Sequence, residues 1–247
     1  AMLISDATGV EFDKVEVVHG DTDEVPQGGI TGGSRSVQLA GAALWNASEV
    51  LVEQAKKIAA ELLEASEADL SLDTVTGNFH VIGTPSIGVS WEHLADHLGE
   101  QNVGPRLLHA EEVFESEGPT FPFGTHVAVV EVDTETGKVD LERLVACDDA
   151  GVILNPLLAA GQVHGGLAQG AAQALLEEFR YDQDGNPLTG NLADYAVISA
   201  AELPMFERVV LETPTHINPL GAKGIGESGT VGATPAIQNA VVDALSH

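Results

Sequence analysis

The chain has 247 residues, of which 44% are hydrophobic, and its 10 basic and 38 acidic side chains give a formal charge of −28. This charge repels nucleic acid and acidic membrane surfaces and argues against binding to either. No apolar run approaches the ~20 residues that cross a bilayer, and the single cysteine, Cys147, cannot form an internal disulfide. We expect a soluble, cytoplasmic protein with a surface adapted to high salt and with Cys147 as a small core residue.

The first half of the chain predicts a mixture of strands and helices. The first residues have the pattern of a helix already under way, and residues 14–18 predict a short strand. Apolar residues recur at helical spacing from Val37 to Leu62, so we expect a long helix that Ser34 or Ser36 caps. Residues 70–82 change to a period of two around a Thr-Gly-Asn turn and predict a hairpin. Residues 91–98 then predict a short helix capped by Ser90.

The second half begins after residues 115–122, which are rich in Glu, Gly and Pro. A second hairpin is expected over residues 127–146. A Gly-rich helix over residues 161–179 follows Asn155-Pro156, and residues 207–211 predict a strand.

These elements predict an α+β fold of two related subdomains, each with a mixed sheet and packed helices. The segment 115–122 has the composition of a boundary, so we place one domain over residues 1–118 and the other over residues 119–247.

A loop almost without side chains, Gly221–Gly229, holds one carboxylate, Glu227. Glycine allows the backbone to approach a ligand closely, and Thr234-Pro235 predicts the start of the next helix. Such a helix start, together with the charge of Lys223, favours an anion nearby. In an apolar, Gly-lined loop the carboxylate would be desolvated, so Glu227 is a candidate base. The alternative is that Glu227 is one more solvated acid.

Two other Gly-rich segments, residues 32–36 and 161–166, are also expected to lead into helices. Together with the Glu227 loop they contain Arg35 and Lys223, and they predict one pocket for a large anion that carries phosphate. The alternative is that these glycines serve tight turns and close helix packing.

Two short motifs give weaker signals. Gly224–Gly229 satisfies G-x-G-x-x-G, but no buried strand precedes it, so a βαβ dinucleotide site is not supported. His93 and His97 share a helix face, but the H-E-x-x-H pattern and a third ligand are missing. We therefore predict no metal-ligating residue in this chain.

Three longer motifs carry a resemblance to a known family: HGDTDEVPQGGITGGSRSVQLAGAAL from His19, GQVHGGLAQGAAQALLEE from Gly161, and GAKGIGESGTVGATPAIQNAVVDAL from Gly221. ACDDAG from Ala146 and DYA from Asp194 extend the likeness over almost the whole chain. The chain resembles the C-terminal part of the molybdenum-binding large subunits of the xanthine dehydrogenase and aldehyde oxidase family, above all those of the carbon monoxide dehydrogenase type.

The resemblance implies a molybdopterin cofactor with molybdenum, in its cytosine dinucleotide form. It also implies that Glu227 is the catalytic base. The residues that it assigns to cofactor binding are Gly33, Ser34, Arg35, Ser36, Gln162, Lys223, Gly224 and Gly226.

The same resemblance implies oxidation of carbon monoxide, an aldehyde or an N-heterocycle, with water as the source of oxygen. Electrons would pass to an iron-sulfur small subunit and an FAD-binding medium subunit, within a homo-oligomer of heterotrimers. Because the family's substrate-distinguishing loop lies upstream of these residues, the substrate stays open and the isolated chain is expected to be inactive. Two other interpretations stay open: a non-catalytic module for cofactor binding or subunit assembly, and a nucleotide-dependent enzyme that uses the G-x-G-x-x-G loop.

Overall fold

A computed structural model describes every residue except 26–27, 101–107 and 247, and the chain divides into two compact units. The first unit comprises residues 1–30 and 36–116, and the second comprises residues 31–35 and 117–247. Pro26 and Gln27, inside the motif that begins at His19, lie outside the described residues. The assignment of residues 1–118 and 119–247 as two cofactor-binding subdomains stays a prediction.

The first unit packs helices against a small antiparallel sheet. Its helices are α1 (Met2–Thr8), α2 (Ala42–Leu63) and α3 (Trp91–Glu100), and its strands are β1 (Leu70–Asp73), β2 (Asn78–Val81) and β3 (Thr84–Ser90), in the order β1-β2-β3. A π-helical turn, Val37–Gly41, leads directly into α2. The core forms where the small residues Ala55 and Ala59 of α2 meet Phe79 and Leu94.

Most predictions for this unit are confirmed. The long helix and the hairpin are present, and the Ser90 hydroxyl accepts a hydrogen bond from the His93 amide at 3.3 Å, as an N-cap does. The strand β3 was missed, because its first five residues are exposed and leave no apolar alternation to detect.

Two predictions for this half of the chain are wrong. Residues 14–18 form no strand, because Val17 and Val18 are about half exposed and gain little by pairing. Ser36 precedes the π-helical turn without making a capping hydrogen bond, and the Ser34 hydroxyl donates elsewhere.

The second unit covers one face of a mixed sheet with two helices. The strands β4 (Phe123–Val132) and β5 (Val139–Asp149) are antiparallel, and β6 (Glu207–Leu211) pairs in parallel with β5. The helices are α4 (Pro156–Leu175) and α5 (Ser228–Ala244). The apolar core between helices and sheet comprises Leu141, Leu144, Ala146, Val163, Leu167, Ala171, Ala233 and Ile237. The predicted α+β class is confirmed, with the difference that the first sheet is antiparallel throughout and the second is mixed.

The helix α4 begins five residues before its predicted start. The Asn155 side chain accepts a hydrogen bond from the Leu158 amide at 2.9 Å, and Pro156 occupies the first turn. The Gly-rich segment 161–166 therefore lies inside the helix, and the prediction that it leads into a helix is wrong. The helix also ends at Leu175, short of residue 179.

The helix α5 likewise begins earlier than predicted, at Ser228, so that Pro235 lies in its interior. The first turn of α5 already packs against α4, because a Cβ at Gly166 would lie only 3.0 Å from the Gly229 Cα. The Thr230 and Thr234 hydroxyls donate to the carbonyls of Gly166 and Gly170, each at 3.1 Å. The two helices are thus held close through small residues. Among the described residues, no helix is long and apolar enough to cross a membrane.

Candidate functional site

Residues from all three predicted Gly-rich segments meet in the second unit, and the segment 161–166 takes part as the exposed face of α4. The Ser34 hydroxyl donates to the Glu227 carboxylate at 2.8 Å. A Cβ at Gly226 would lie 3.0 Å from the Ser34 Oγ and 3.2 Å from the Gln162 Nε2. Ser34, Gln162, Gly226 and Glu227 therefore form one polar cluster, although they are far apart in the chain.

The backbone at Ser34, whose hydroxyl binds Glu227, has an unusual conformation. Gly33 and Ser34 both have positive φ, 59° and 54°. This left-handed conformation is natural for glycine but costs roughly 1–2 kcal/mol for a residue with a side chain. Ser34 adopts it while its hydroxyl is bound to Glu227, so a local energetic cost accompanies the placement of that hydroxyl.

Glu227 is exposed in this chain, and the expectation that its own loop would desolvate it is wrong. Gly226, directly before it, and Gly229, two residues after it, have no side chains that could cover the carboxylate. The Ser34 hydroxyl donates to one of its oxygen atoms. Gln162, on α4, is also exposed.

The glycines of α4 fall into two groups. A Cβ at Gly166 or Gly170 would press on α5 within 3.0 Å, so packing explains these two residues. A Cβ at Gly161 or Gly165 would meet nothing within 4 Å. Packing among the described residues therefore gives no reason for Gly161 and Gly165, although glycine costs about 1 kcal/mol in a helix interior.

Lys223 does not join the polar cluster. Its ammonium lies 2.9 Å from the Asp149 Oδ1 and 4.8 Å from the centre of the Phe123 ring. The side chains of Lys223 and Asp149 are 9% and 0% exposed, so they form a buried ion pair. Burial alone would raise the pKa of Asp149, but Thr213, the Gly151 amide and Lys223 around the carboxylate outweigh burial and hold that pKa below its ordinary value.

The other predicted residues have different locations. Gly33 and Arg35 are exposed beside Ser34 in the second unit, and Gly224 is buried just before the tip of the Glu227 loop. Ser36 belongs to the first unit, at the start of its long helical segment.

Comparison with known proteins adds the identity of the domain. The molybdopterin cofactor-binding domain family matches residues 1–204. The chain is 37% identical to the carbon monoxide dehydrogenase large chain of Hydrogenophaga pseudoflava, over 100% of this chain and 31% of that protein. It is 35% identical to subunit gamma of the 6-hydroxypseudooxynicotine dehydrogenase complex of Paenarthrobacter nicotinovorans, again over 100% of this chain and 31% of that one.

The same relationship is seen in three dimensions. The reconstituted CO dehydrogenase from Oligotropha carboxidovorans superposes with a TM-score of 0.86 at 38% identity, over 98% of this chain and 30% of that chain. The chain belongs to the molybdopterin cofactor-binding domain family. It spans less than a third of the length of the relatives that it matches.

A groove in the second unit is distinct from the polar cluster. This groove, lined by Leu141, Ile198, Ile237 and Val241 among others, lies at the C-terminal halves of α4 and α5. Gln162 and Glu227 lie toward the N-terminal ends of the same helices, so this groove is not the predicted site. No three His, Cys, Asp or Glu side chains are arranged to hold a metal ion in the described parts of this domain.

Sequence reasoning missed two residues that support the Glu227 loop. Asp149 lies within the ACDDAG motif, whose local pattern does not indicate a buried ion pair with Lys223. Asn218, which is buried, donates from its Nδ2 to the Ala222 carbonyl at 2.8 Å. A polar residue next to a turn, Asn-Pro at 218–219, was the available signal.

Proposed function

We propose that this molybdopterin cofactor-binding domain forms part of the large subunit of a molybdenum hydroxylase and supplies its catalytic base, Glu227. The observation that carries the proposal is the polar cluster. A hydroxyl, a carboxamide and a carboxylate from three distant segments meet around Gly226, where no side chain obstructs their approach.

The residues around the cluster fit a pterin dinucleotide. The hydroxyl of Ser34 and the carboxamide of Gln162 can pair with the polar edges of a pterin, and Arg35 can pair with a phosphate. The exposed glycines Gly161 and Gly165 leave the surface of α4 open to a flat group. Their presence without a packing reason supports close approach by a ligand.

The roles of the chain's own residues follow from this arrangement. Ser34 holds one oxygen of Glu227, which fixes the carboxylate while the other oxygen remains able to accept a proton. The cofactor and neighbouring parts of the full protein would cover Glu227 and exclude water, which this chain does not do by itself. The bound cofactor supplies the two-electron redox chemistry, and this domain supplies position and a proton acceptor.

The finer assignments rest on the relatives. One of these acts on carbon monoxide and another on 6-hydroxypseudooxynicotine, by their names, so we propose a small substrate of the carbon monoxide, aldehyde or N-heterocycle type. We further propose water as the oxygen source, a cytosine dinucleotide form of the cofactor, and iron-sulfur and FAD-binding partner subunits in a cytoplasmic oligomer of heterotrimers.

The second candidate function is a binding or assembly module without catalysis. The exposure of Glu227 favours it, because an exposed carboxylate is the usual state of a surface acid.

Glu227→Gln in the full-length protein separates the two functions. Turnover, assayed with carbon monoxide, an aldehyde and an N-heterocycle in turn and with a redox dye as acceptor, should fall by about 10²–10⁴-fold, because Gln cannot accept the proton. Molybdenum and pterin content should not change. The exposed Glu178→Gln serves as the matched control and should keep full turnover. Undiminished turnover of Glu227→Gln would show that this domain does not supply the base, and would leave it the role of a binding or assembly module.

A further inference from the structure

We propose that Lys223 and Asp149 act as a pair of positioning residues that hold the Glu227 loop, and that Lys223 does not bind the phosphates of the cofactor. The effect on turnover rests on the proposed role of Glu227, whereas the effect on the loop does not. Residues 221–223 form the stem of this loop, and residues 224–227 form its tip.

The stem is fixed to the end of β5 by backbone hydrogen bonds. The Val152 amide donates to the Gly221 carbonyl at 3.0 Å, and the Lys223 amide donates to the Ala150 carbonyl at 2.8 Å. Gly151 has a φ of 66° and lies so close to Gly221 that no side chain would fit. The stem therefore pairs, antiparallel, with the residues that follow β5, at a separation that only glycine permits at position 151.

The side chains of Lys223 and Asp149 lock this junction. The Asp149 Oδ1 accepts from both the Lys223 ammonium, at 2.9 Å, and the Gly151 amide, at 3.0 Å. One carboxylate oxygen thus ties the stem to the turn that follows β5. Asn218 adds a second tie through the Ala222 carbonyl.

The burial of the pair argues against a role in phosphate binding. The ammonium of Lys223 lies beneath the Phe123 ring with its side chain only 9% exposed, and its charge is balanced by Asp149. Movement of Lys223 toward a phosphate would leave Asp149 buried and unpaired, which is strongly unfavourable. By contrast, Glu227, at the end of the tip, lies four residues after Lys223, and there Gly226 and Glu227 meet Ser34 and Gln162.

The geometry therefore divides the loop into an anchored stem and a functional tip. If the stem shifts, Glu227 moves relative to Ser34, and a shift of about 1 Å at a reacting group can cost roughly 10²-fold in rate. The pair acts on the reaction only through this placement.

The test uses Lys223→Met, Asp149→Leu, the double variant, and Lys223→Arg in the full-length, cofactor-loaded protein. In both single variants we expect amide hydrogen exchange of peptides covering residues 221–229 to speed up by about tenfold or more. Turnover per bound molybdenum should fall by roughly 10²-fold, with molybdenum and pterin content retained. Lys223→Arg should keep much of the normal exchange protection and turnover. The double variant should show no faster exchange and no lower turnover than either single variant, because the two residues act as one pair.

The surface pair Lys138 and Asp140, with side chains 69% and 51% exposed, supplies the control, and Lys138→Met should change nothing. Cofactor loss in Lys223→Met without faster exchange would show a phosphate ligand and overturn the proposal. Unchanged turnover per molybdenum despite faster exchange would also overturn it, provided that Glu227→Gln is inactive. If Glu227→Gln is fully active, the proposed function fails, and the exchange rates and the double-variant comparison alone decide the role of the pair.

Discussion

At the scale of single residues, the candidate site depends on a serine in an unfavourable conformation. Ser34 has a φ of 54°, and its hydroxyl reaches Glu227 from a segment 193 positions away in the sequence. A backbone cost of this kind persists where surrounding contacts fix it. We interpret the conformation of Ser34 as part of how the carboxylate is placed.

Replacement of Ser34 tests this interpretation. Ser34→Ala and Ser34→Gly both remove the hydroxyl, and since a hydrogen bond to a charged group contributes ~1.5–3 kcal/mol, turnover should fall by about 10- to 100-fold in both. In urea unfolding, Ser34→Gly should be more stable than Ser34→Ala by ~1 kcal/mol, because glycine adopts positive φ without strain. Full turnover in Ser34→Ala would show that its hydroxyl does not support Glu227.

At the scale of elements, α4 has two faces with different demands on its glycines. Gly166 and Gly170 allow α5 to approach closely. The Thr230 and Thr234 hydroxyls of α5 donate to the backbone carbonyls of these two glycines. Gly161 and Gly165 lie on the exposed face, where an added Cβ would meet no atom of the described residues within 4 Å. One helix thus joins the core to the proposed cofactor surface.

Alanine substitutions should separate these faces. Gly170→Ala should destabilise the cofactor-free protein by ~1–3 kcal/mol, because its methyl group would overlap Ala233. Gly161→Ala and Gly165→Ala should instead stabilise it by up to ~1 kcal/mol, through helix propensity, yet weaken cofactor retention. Urea unfolding and pterin content measure the two effects. Undiminished pterin content in both exposed-face variants would contradict close approach of the cofactor there.

The sequence predicted those elements whose apolar periodicity is strong and local. The long helix α2 and both hairpins belong to this group. The starts of α4 and α5 were misplaced, because glycine clusters were interpreted as loops when close helix packing was their actual reason. Thr234-Pro235 resembled a helix start, but the contact of Gly229 with α4 places the true start at Ser228.

The candidate site was only partly predictable for a similar reason. The motif resemblance identified Ser34, Gln162 and Glu227, which the structure brings together. The same resemblance grouped Lys223 with them, but its partner, Asp149, is 74 positions away in sequence. A long-range ion pair leaves no periodic signal in one sequence, so its role required coordinates.

At the scale of the whole molecule, the dominant feature is the formal charge of −28. Charges of one sign repel each other in the compact state, and salt reduces this repulsion over distances beyond about 8–10 Å at moderate ionic strength. The buried pair of Lys223 and Asp149 is screened much less than surface charges. Salt should therefore act on the surface and leave the anchored loop intact.

Thermal unfolding across salt concentrations tests the proposed adaptation to high salt. The midpoint should rise as salt increases from low concentration, because screening removes self-repulsion between the 38 acidic side chains. A midpoint that falls steadily with added salt would contradict the adaptation.

We propose that Ser34, Gln162 and Gly226 border a bound pterin and that the carboxylate of Glu227 faces its metal. A structure of the full-length, cofactor-loaded protein measures this most directly. We predict that the Gln162 side chain contacts the pterin and that the Glu227 carboxylate is directed toward the molybdenum. A cofactor bound instead along the groove of Leu141 and Ile237, with Glu227 facing open solvent, would contradict the account.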